Sequence, residues 1–300
     1  MVNYDDIFGS QQPKETGAGT QFSSFDKESW AAQKQQDRDS AYSMIEQTAQ
    51  RMAVSGELFK SFLDVQSRFD RYSVGNALLI TAQRPDMTEP ADAKTWKDKG
   101  VYIKKGETGV LILEPGDEYT REDGSVGVSY NPKRIFDITQ TTSRQKKPVT
   151  ASMDPRMLLT ALIHNAPCKI EISAAMPENV CAVYKPEEKV IRVRQGMDAP
   201  DIFRSLSSEL AHAHLDKGDY KRSENAFTAY CVSYILCMRN NIAKDTFRFE
   251  RLPESLSTMD TQKIRAELGK IREVANEISA DMKHYLDKAK PPKTRDDGAR

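Results

Sequence analysis

The sequence lacks the features that mark a secreted, membrane-bound or strongly charged protein. Its 44 Lys and Arg residues balance 44 Asp and Glu residues, so no global charge draws the chain to nucleic acid or to a membrane. No run of eighteen apolar residues occurs, and residues 1–42 hold no apolar signal-peptide segment. The four cysteines show neither Cys-x-x-Cys nor zinc-finger spacing. We therefore expect a cytoplasmic protein with reduced thiols and no membrane partner.

Several motifs of nucleotide-binding proteins and hydrolases are also missing. The sequence contains no P-loop, no Gly-x-Gly-x-x-Gly after a predicted strand and no Gly-x-Ser-x-Gly. The 38% of hydrophobic residues is somewhat low for a globular protein, which indicates a packed core together with some polar, unpacked chain. A length of 300 residues is enough for two ordinary domains.

Changes of pattern along the chain divide it into five segments. They are 1–37 (disordered), 38–142 (first domain), 143–152 (linker), 153–290 (second domain) and 291–300 (disordered tail). In the first domain, helical periodicity gives way to short β-branched runs separated by turns. In the second, three short strands precede two helices and a long amphipathic helix. The predicted fold class is α+β, with an N-terminal domain of helices and a small antiparallel sheet and a C-terminal α+β domain closed by a long helix.

A dense set of uncommon residues stands in order between residues 69 and 142. The set comprises Tyr72-Ser73-x-x-Asn76, Leu78-Leu79-Ile80, Gln83-x-Pro85, Trp96, Lys104-Lys105-Gly106, Ile112-x-x-Pro115 and Phe136-Asp137-x-x-Gln140-Thr141. This pattern closely resembles the N-terminal domain of ArdC-like antirestriction proteins, and similar two-domain proteins of conjugative elements are called LtrC-like. The resemblance implies binding of single-stranded DNA by a protein that protects incoming DNA from restriction.

The residue types in this region suit an unpaired strand, which needs cations for its phosphates and aromatic faces for its bases. The candidate DNA-binding residues are Asn76, Gln83, Arg84, Lys94, Trp96, Lys97, Tyr102, Lys104 and Lys105. Structural roles are open alternatives: Trp96 as a core aromatic, Asn76 as a buried hydrogen-bonded residue, and Gln83 to Pro85 as the end of a helix. The Lys104-Lys105 turn is the strongest functional candidate, because two cations on a tight turn have little role in folding.

A second motif begins at residue 208. Ser208-Glu209-Leu210-Ala211-His212, followed by Glu224, resembles the zincin helix His-Glu-x-x-His with a third ligand on the next helix. The resemblance implies Glu209 as the catalytic base and His212 and Glu224 as metal ligands. Ser208 stands where the first histidine belongs, and a serine hydroxyl is a poor zinc ligand. We therefore expect a degenerate zincin-like domain without peptidase activity and without a cofactor, zinc being the one candidate metal.

The predicted function is the binding of single-stranded DNA by a protein of a mobile or conjugative element, with an antirestriction role. Its expected partners are single-stranded DNA and host restriction or conjugation proteins. Two alternatives remain open. One is a zinc-dependent metalloprotease tethered to DNA, and the other is a protein–protein adaptor that uses the second domain and the C-terminal helix.

Overall fold

A computed structural model describes residues 27–143, 153–242 and 245–289. The helices are α1 Lys27–Met52, α2 Gly56–Arg68, α3 Val74–Gln83, α4 Ala93–Asp98, α5 Pro155–His164, α6 Ala199–Leu215, α7 Arg222–Arg239, α8 Glu254–Ser257 and α9 Thr261–Ala289. The strands are β1 Pro90–Asp92, β2 Val110–Thr120, β3 Val126–Asp137, β4 Lys169–Ser173, β5 Ala182–Lys185 and β6 Val190–Arg194. The α+β class predicted from the sequence is confirmed.

The first sheet is a long hairpin with a short third strand. Its order is β1-β3-β2, and both pairings are antiparallel. The apolar run at the start of β2, residues 110–113, is buried against α3, whereas the rest of the strand is largely exposed. The run Val101-Tyr102-Ile103, one of the β-branched runs in which the sequence predicts strands, forms only an isolated bridge from Ile103 to Thr141.

The second sheet is mixed and carries α6 on one face. Its order is β4-β6-β5, with β4 parallel and β5 antiparallel to the central β6. The predicted sequence of three strands, two helices and a long final helix is confirmed. Helix α6 packs against β5 and β6, and α7 packs against α6. This arrangement places the candidate zincin-like residues between the sheet and the start of α7.

Buried apolar side chains from both predicted domains form one continuous core. Helix α7 packs on α2, and α9 packs on α1, α3, α5 and α7. Two arginines strengthen this contact: Arg239 donates to the carbonyl oxygens of Gln66 and Ser67 at the end of α2, and Arg272 donates to that of Tyr72. Cations there compensate the unpaired carbonyl groups at the end of a helix, as well as its negative dipole.

The predicted end of the disordered N-terminal segment is wrong, because helix α1 begins earlier. It begins at Lys27, so residues 27–37, which were predicted to be disordered, are helical. The polar start of this helix has no apolar stripe, and its buried residues appear only from Ala41 onward, which explains why periodicity pointed to a later start. Residues 1–26, 144–152 and 290–300, which include most of the predicted linker and tail, lie outside the described residues. None of the described helices is long and apolar enough to cross a membrane.

Candidate functional site

Trp96, predicted as a stacking platform for a DNA base, lies in the interior. Its side chain is 2% exposed, and its indole N–H donates to the carbonyl oxygen of Phe136 at 2.9 Å. The Lys99 ammonium lies 4.8 Å from the centre of the ring. Because α4 packs on β1 and β3, the one large apolar side chain of this short helix fills the space between them. Trp96 is therefore a core residue, and its DNA-binding assignment is corrected.

Asn76 and Gln83 hold the edge of the first sheet. The Asn76 amide donates to the carbonyl oxygen of Leu113 at 2.8 Å and accepts from its N–H at 2.9 Å. Gln83 makes the same pair of bonds with Leu111, each at 2.9 Å. The two side chains are about two helical turns apart on α3, so both face β2. They satisfy backbone groups that β2, as an edge strand, would otherwise leave unpaired. Both amides therefore have a structural role, and their contacts with DNA stay a prediction.

The remaining candidates divide into tethered and exposed residues. Arg84 approaches the Thr139 hydroxyl at 3.4 Å, and the Lys104 ammonium donates to the Thr139 carbonyl oxygen at 2.9 Å. Four other candidates are exposed, namely Lys94, Lys97, Tyr102 and Lys105. Among the described residues, no ion-pair partner is found for Lys94, Lys97 or Lys105. All three carry an exposed positive charge, and the one exposed aromatic side chain of the candidate set is Tyr102.

A groove lies between α1, the start of α3, the β2–β3 hairpin and α9. Two adjoining cavities of about 490 and 450 Å³ form it, and they share Ser73, Asn76, Leu113 and Tyr130 as lining residues. We call it the tyrosine groove, because three tyrosines and two arginines line it: Tyr42, Tyr72, Tyr130, Arg71 and Arg265. Tyr42 comes from α1, Tyr130 from β3, and Arg265 from α9.

The tyrosine groove is lined by charges of both signs: Arg71, Arg265 and Lys133 are positive, and Asp92 and Glu114 are negative. Within the described parts of the chain, neither Arg71 nor Arg265 has an ion-pair partner. Lys133 also lines the groove, but Asp92 and Glu114 each bind its ammonium at 2.8 Å and raise its pKa. Its charge is therefore already compensated. The first turn of α3 adds N–H groups that have no partner within the helix, and such groups favour anions.

Sequence reasoning missed the tyrosine groove because its parts are far apart in the chain. Tyr42 recurs with the apolar stripe of α1, yet 40% of its side chain is exposed, and Tyr130 is 41% exposed. One signal was available in the sequence: Val126, Val128 and Tyr130 alternate with Gly127 and Ser129, and the structure leaves all three larger side chains exposed. Arg265 reaches the groove only because α9 packs on α1 and α3, and no local sequence pattern predicts this contact.

The candidate catalytic base of the second motif is engaged in an ion pair. Glu209 is 5% exposed, and both of its carboxylate oxygens accept from Arg222, at 2.8 and 2.6 Å. One of them also accepts from the backbone N–H of Tyr184 at 2.7 Å. These bonds occupy the carboxylate on both sides. A general base must instead reach the proton of a water molecule or substrate.

The two candidate metal ligands do not share a site. His212 is buried, and its Nδ1 lies 2.7 Å from the hydroxyl of Tyr220. Glu224 is exposed and pairs with Lys221 at 2.9 Å. Across residues 27–143, 153–242 and 245–289, no group of three or more His, Cys, Asp or Glu side chains is arranged to hold a metal ion. With Ser208 in place of a histidine, these residues do not fit a catalytic metal.

We expect His212 to make stability depend on acidity. Burial, followed by the nearby positive charge of Arg222, lowers the pKa of His212 from 6.5 to about 4. As pH falls from about 6.5 to about 4, the unfolded chain takes up a proton that the folded chain does not. The contribution of the neutral His212 to the free energy of unfolding is therefore fully present above pH 6.5. It falls as pH is lowered through this window, with a slope of at most about 1.4 kcal/mol per pH unit.

Urea denaturation between pH 4 and 8 measures this dependence, with His212→Gln as the comparison, because carboxylates titrate in both proteins. The difference in unfolding free energy between the two should shrink as pH falls. A constant difference across the range would contradict a neutral, buried His212.

These features define an α+β protein in which a helix-and-hairpin half and a mixed-sheet half share one core. The fold is that of the antirestriction protein ArdC. A metal-free crystal structure of ArdC from plasmid R388 is similar with a TM-score of 0.50 and 14% identity, over 71% of this chain and 86% of that one. An Mn(II)-bound structure of ArdC matches with a TM-score of 0.46 and 15% identity, over 70% and 89% of the two chains.

At 14% identity, this likeness shows the fold alone, and it confirms the fold that the ArdC resemblance implied. No family model matches the sequence, and no curated protein matches it.

Proposed function

We propose that this protein binds single-stranded DNA in the tyrosine groove and serves antirestriction for a plasmid or conjugative element. The observation that carries the proposal is the pairing of half-exposed tyrosines with unpaired arginines in one groove. Proteins that bind single strands combine these two elements, because rings stack on bases and cations contact phosphates. The ArdC fold supports the antirestriction role, since the solved protein of that fold is named for it.

The size of the groove favours an unpaired strand over a duplex. Each cavity is of the size that holds a small organic ligand, about one or two nucleotides. A duplex keeps its bases stacked inside, where Tyr42 and Tyr130 could not meet their faces. Single-stranded DNA can turn its bases toward the rings while its phosphates approach Arg71 and Arg265.

The salt dependence of binding follows from the small number of free cations. If Arg71 and Arg265 neutralise two phosphates, log affinity should fall with log salt with a slope of about −1.4. The protein should also bind a mixed-sequence single strand at least about tenfold more tightly than the corresponding duplex. Fluorescence anisotropy titrations between 50 and 200 mM salt, about the range in which such contacts weaken, measure both quantities.

The Arg71→Gln/Arg265→Gln variant is the control, and its slope should approach zero. The proposal would be contradicted if the protein did not bind single strands at low salt, or if it bound duplex DNA with the same affinity. A slope near −2.8 in the parent protein, together with an unchanged slope in the variant, would move the site to the four lysines at positions 94, 97, 104 and 105.

A further inference from the structure

The second half of the protein contains a carboxylate and a guanidinium that are paired at an interior position. Glu209 lies on α6, its side chain is 6% exposed, and it accepts three hydrogen bonds, two of them from Arg222 at the first position of α7. The Arg222 side chain is 45% exposed and reaches inward over the carboxylate. Two parallel bonds between planar groups give this pair a fixed geometry.

The pair occupies the place that the zincin pattern assigns to a metal centre. In that pattern, the glutamate stands beside a divalent cation held by the flanking histidines. Here the residue before Glu209 is Ser208, and the positive charge next to the carboxylate belongs to Arg222.

We propose that Arg222 is a built-in cation that takes the place of a metal ion, so that the site is closed by an internal ion pair and excludes divalent metals. A carboxylate bound on both oxygens is not free to contact a metal or its water. A divalent ion would also be repelled by the guanidinium, and the buried Glu209 would lose its counter-ion if Arg222 moved away. The pair ties the start of α7 to α6 and to β5, where the Tyr184 N–H provides the third bond.

Metal binding by restored variants tests the exclusion. Zinc is measured by isothermal titration and by elemental analysis after gel filtration. The parent protein should bind no zinc, and Ser208→His/Arg222→Ala should bind about one zinc per chain at least tenfold more tightly than Ser208→His. Stoichiometric zinc or manganese in the parent protein overturns the proposal. A double variant that binds zinc no better than Ser208→His also overturns it.

A thermal-unfolding experiment tests the ion pair without any metal. Arg222→Ala leaves a buried carboxylate without its counter-ion, so it should lower the melting temperature by about 5 °C. Adding Glu209→Gln to it should recover at least half of that loss. Lys221→Ala is the matched control, because it removes the neighbouring but exposed pair with Glu224 and should shift the melting temperature by about 1 °C. Equal shifts for Arg222→Ala and Lys221→Ala overturn the proposal.

Discussion

The Tyr42→Ala/Tyr130→Ala variant is expected to bind single-stranded DNA about 100-fold more weakly than the parent protein. Stacking of a base on an aromatic side chain contributes about 1–3 kcal/mol, as judged by replacement with alanine. Both rings are only partly exposed, so the lower half of that range applies to each. Together they contribute about 2.7 kcal/mol, which corresponds to two powers of ten in the dissociation constant. Fluorescence anisotropy with a labelled mixed-sequence oligonucleotide measures the change.

Two single variants serve as controls for this expectation. Tyr119 is 50% exposed on the same hairpin but does not line the tyrosine groove, so Tyr119→Ala should leave affinity within about twofold. Tyr102 is 60% exposed beside Lys104 and Lys105, and Tyr102→Ala tests the surface that the sequence indicated. If Tyr102→Ala lowered affinity and the double variant did not, the binding surface would be the 102–105 turn and not the groove.

The stability of the double variant must be measured beside its affinity. Tyr42 and Tyr130 are partly exposed, and no described hydrogen bond involves either hydroxyl group, so their loss should have little effect on unfolding. A large loss of stability would indicate that the two rings support the packing of α1 on the hairpin. Weak DNA binding could then not be assigned to stacking.

Local signals in the sequence predicted the elements better than the contacts between them. Helix α3 ends before Arg84-Pro85, as the proline indicates, and it begins after Ser73, whose side chain accepts from the N–H of Asn76. The strand–helix order of the second half was also readable, because each element carries its own apolar pattern. Helix α1 was placed too late, since its first turns bury few side chains and so have no periodic pattern.

The functional roles of polar residues could not be read in the same way. Asn76 and Gln83 have amide groups that suit a base edge or a backbone group equally well, and the decision depends on β2 lying beside α3. Glu209 has an arginine as its partner because the turn between α6 and α7 brings Arg222 back over α6. Motif spacing describes one helix at a time, so it indicated a base and two ligands but not the ion pair.

The Asn76→Leu variant should lose about 2–4 kcal/mol of unfolding free energy, the largest stability effect that we expect from a single substitution in the first half. Leucine is close to asparagine in size, so the change removes hydrogen bonds without opening a large cavity. It leaves the N–H and the carbonyl group of Leu113 without partners at a buried strand edge. Each unpaired buried group costs about 1–3 kcal/mol.

Urea denaturation followed by circular dichroism measures this loss, and Asn225→Leu is the matched control. Asn225 lies on α7, and its amide donates only to the exposed carbonyl oxygen of Lys221, the residue before the first turn of that helix. That substitution should change the unfolding free energy by less than about 0.5 kcal/mol. An Asn76→Leu protein as stable as Asn225→Leu would mean that β2 does not need the amide of α3. The Asn76 side chain, which also lines the tyrosine groove, would then again be a candidate for direct contact with DNA.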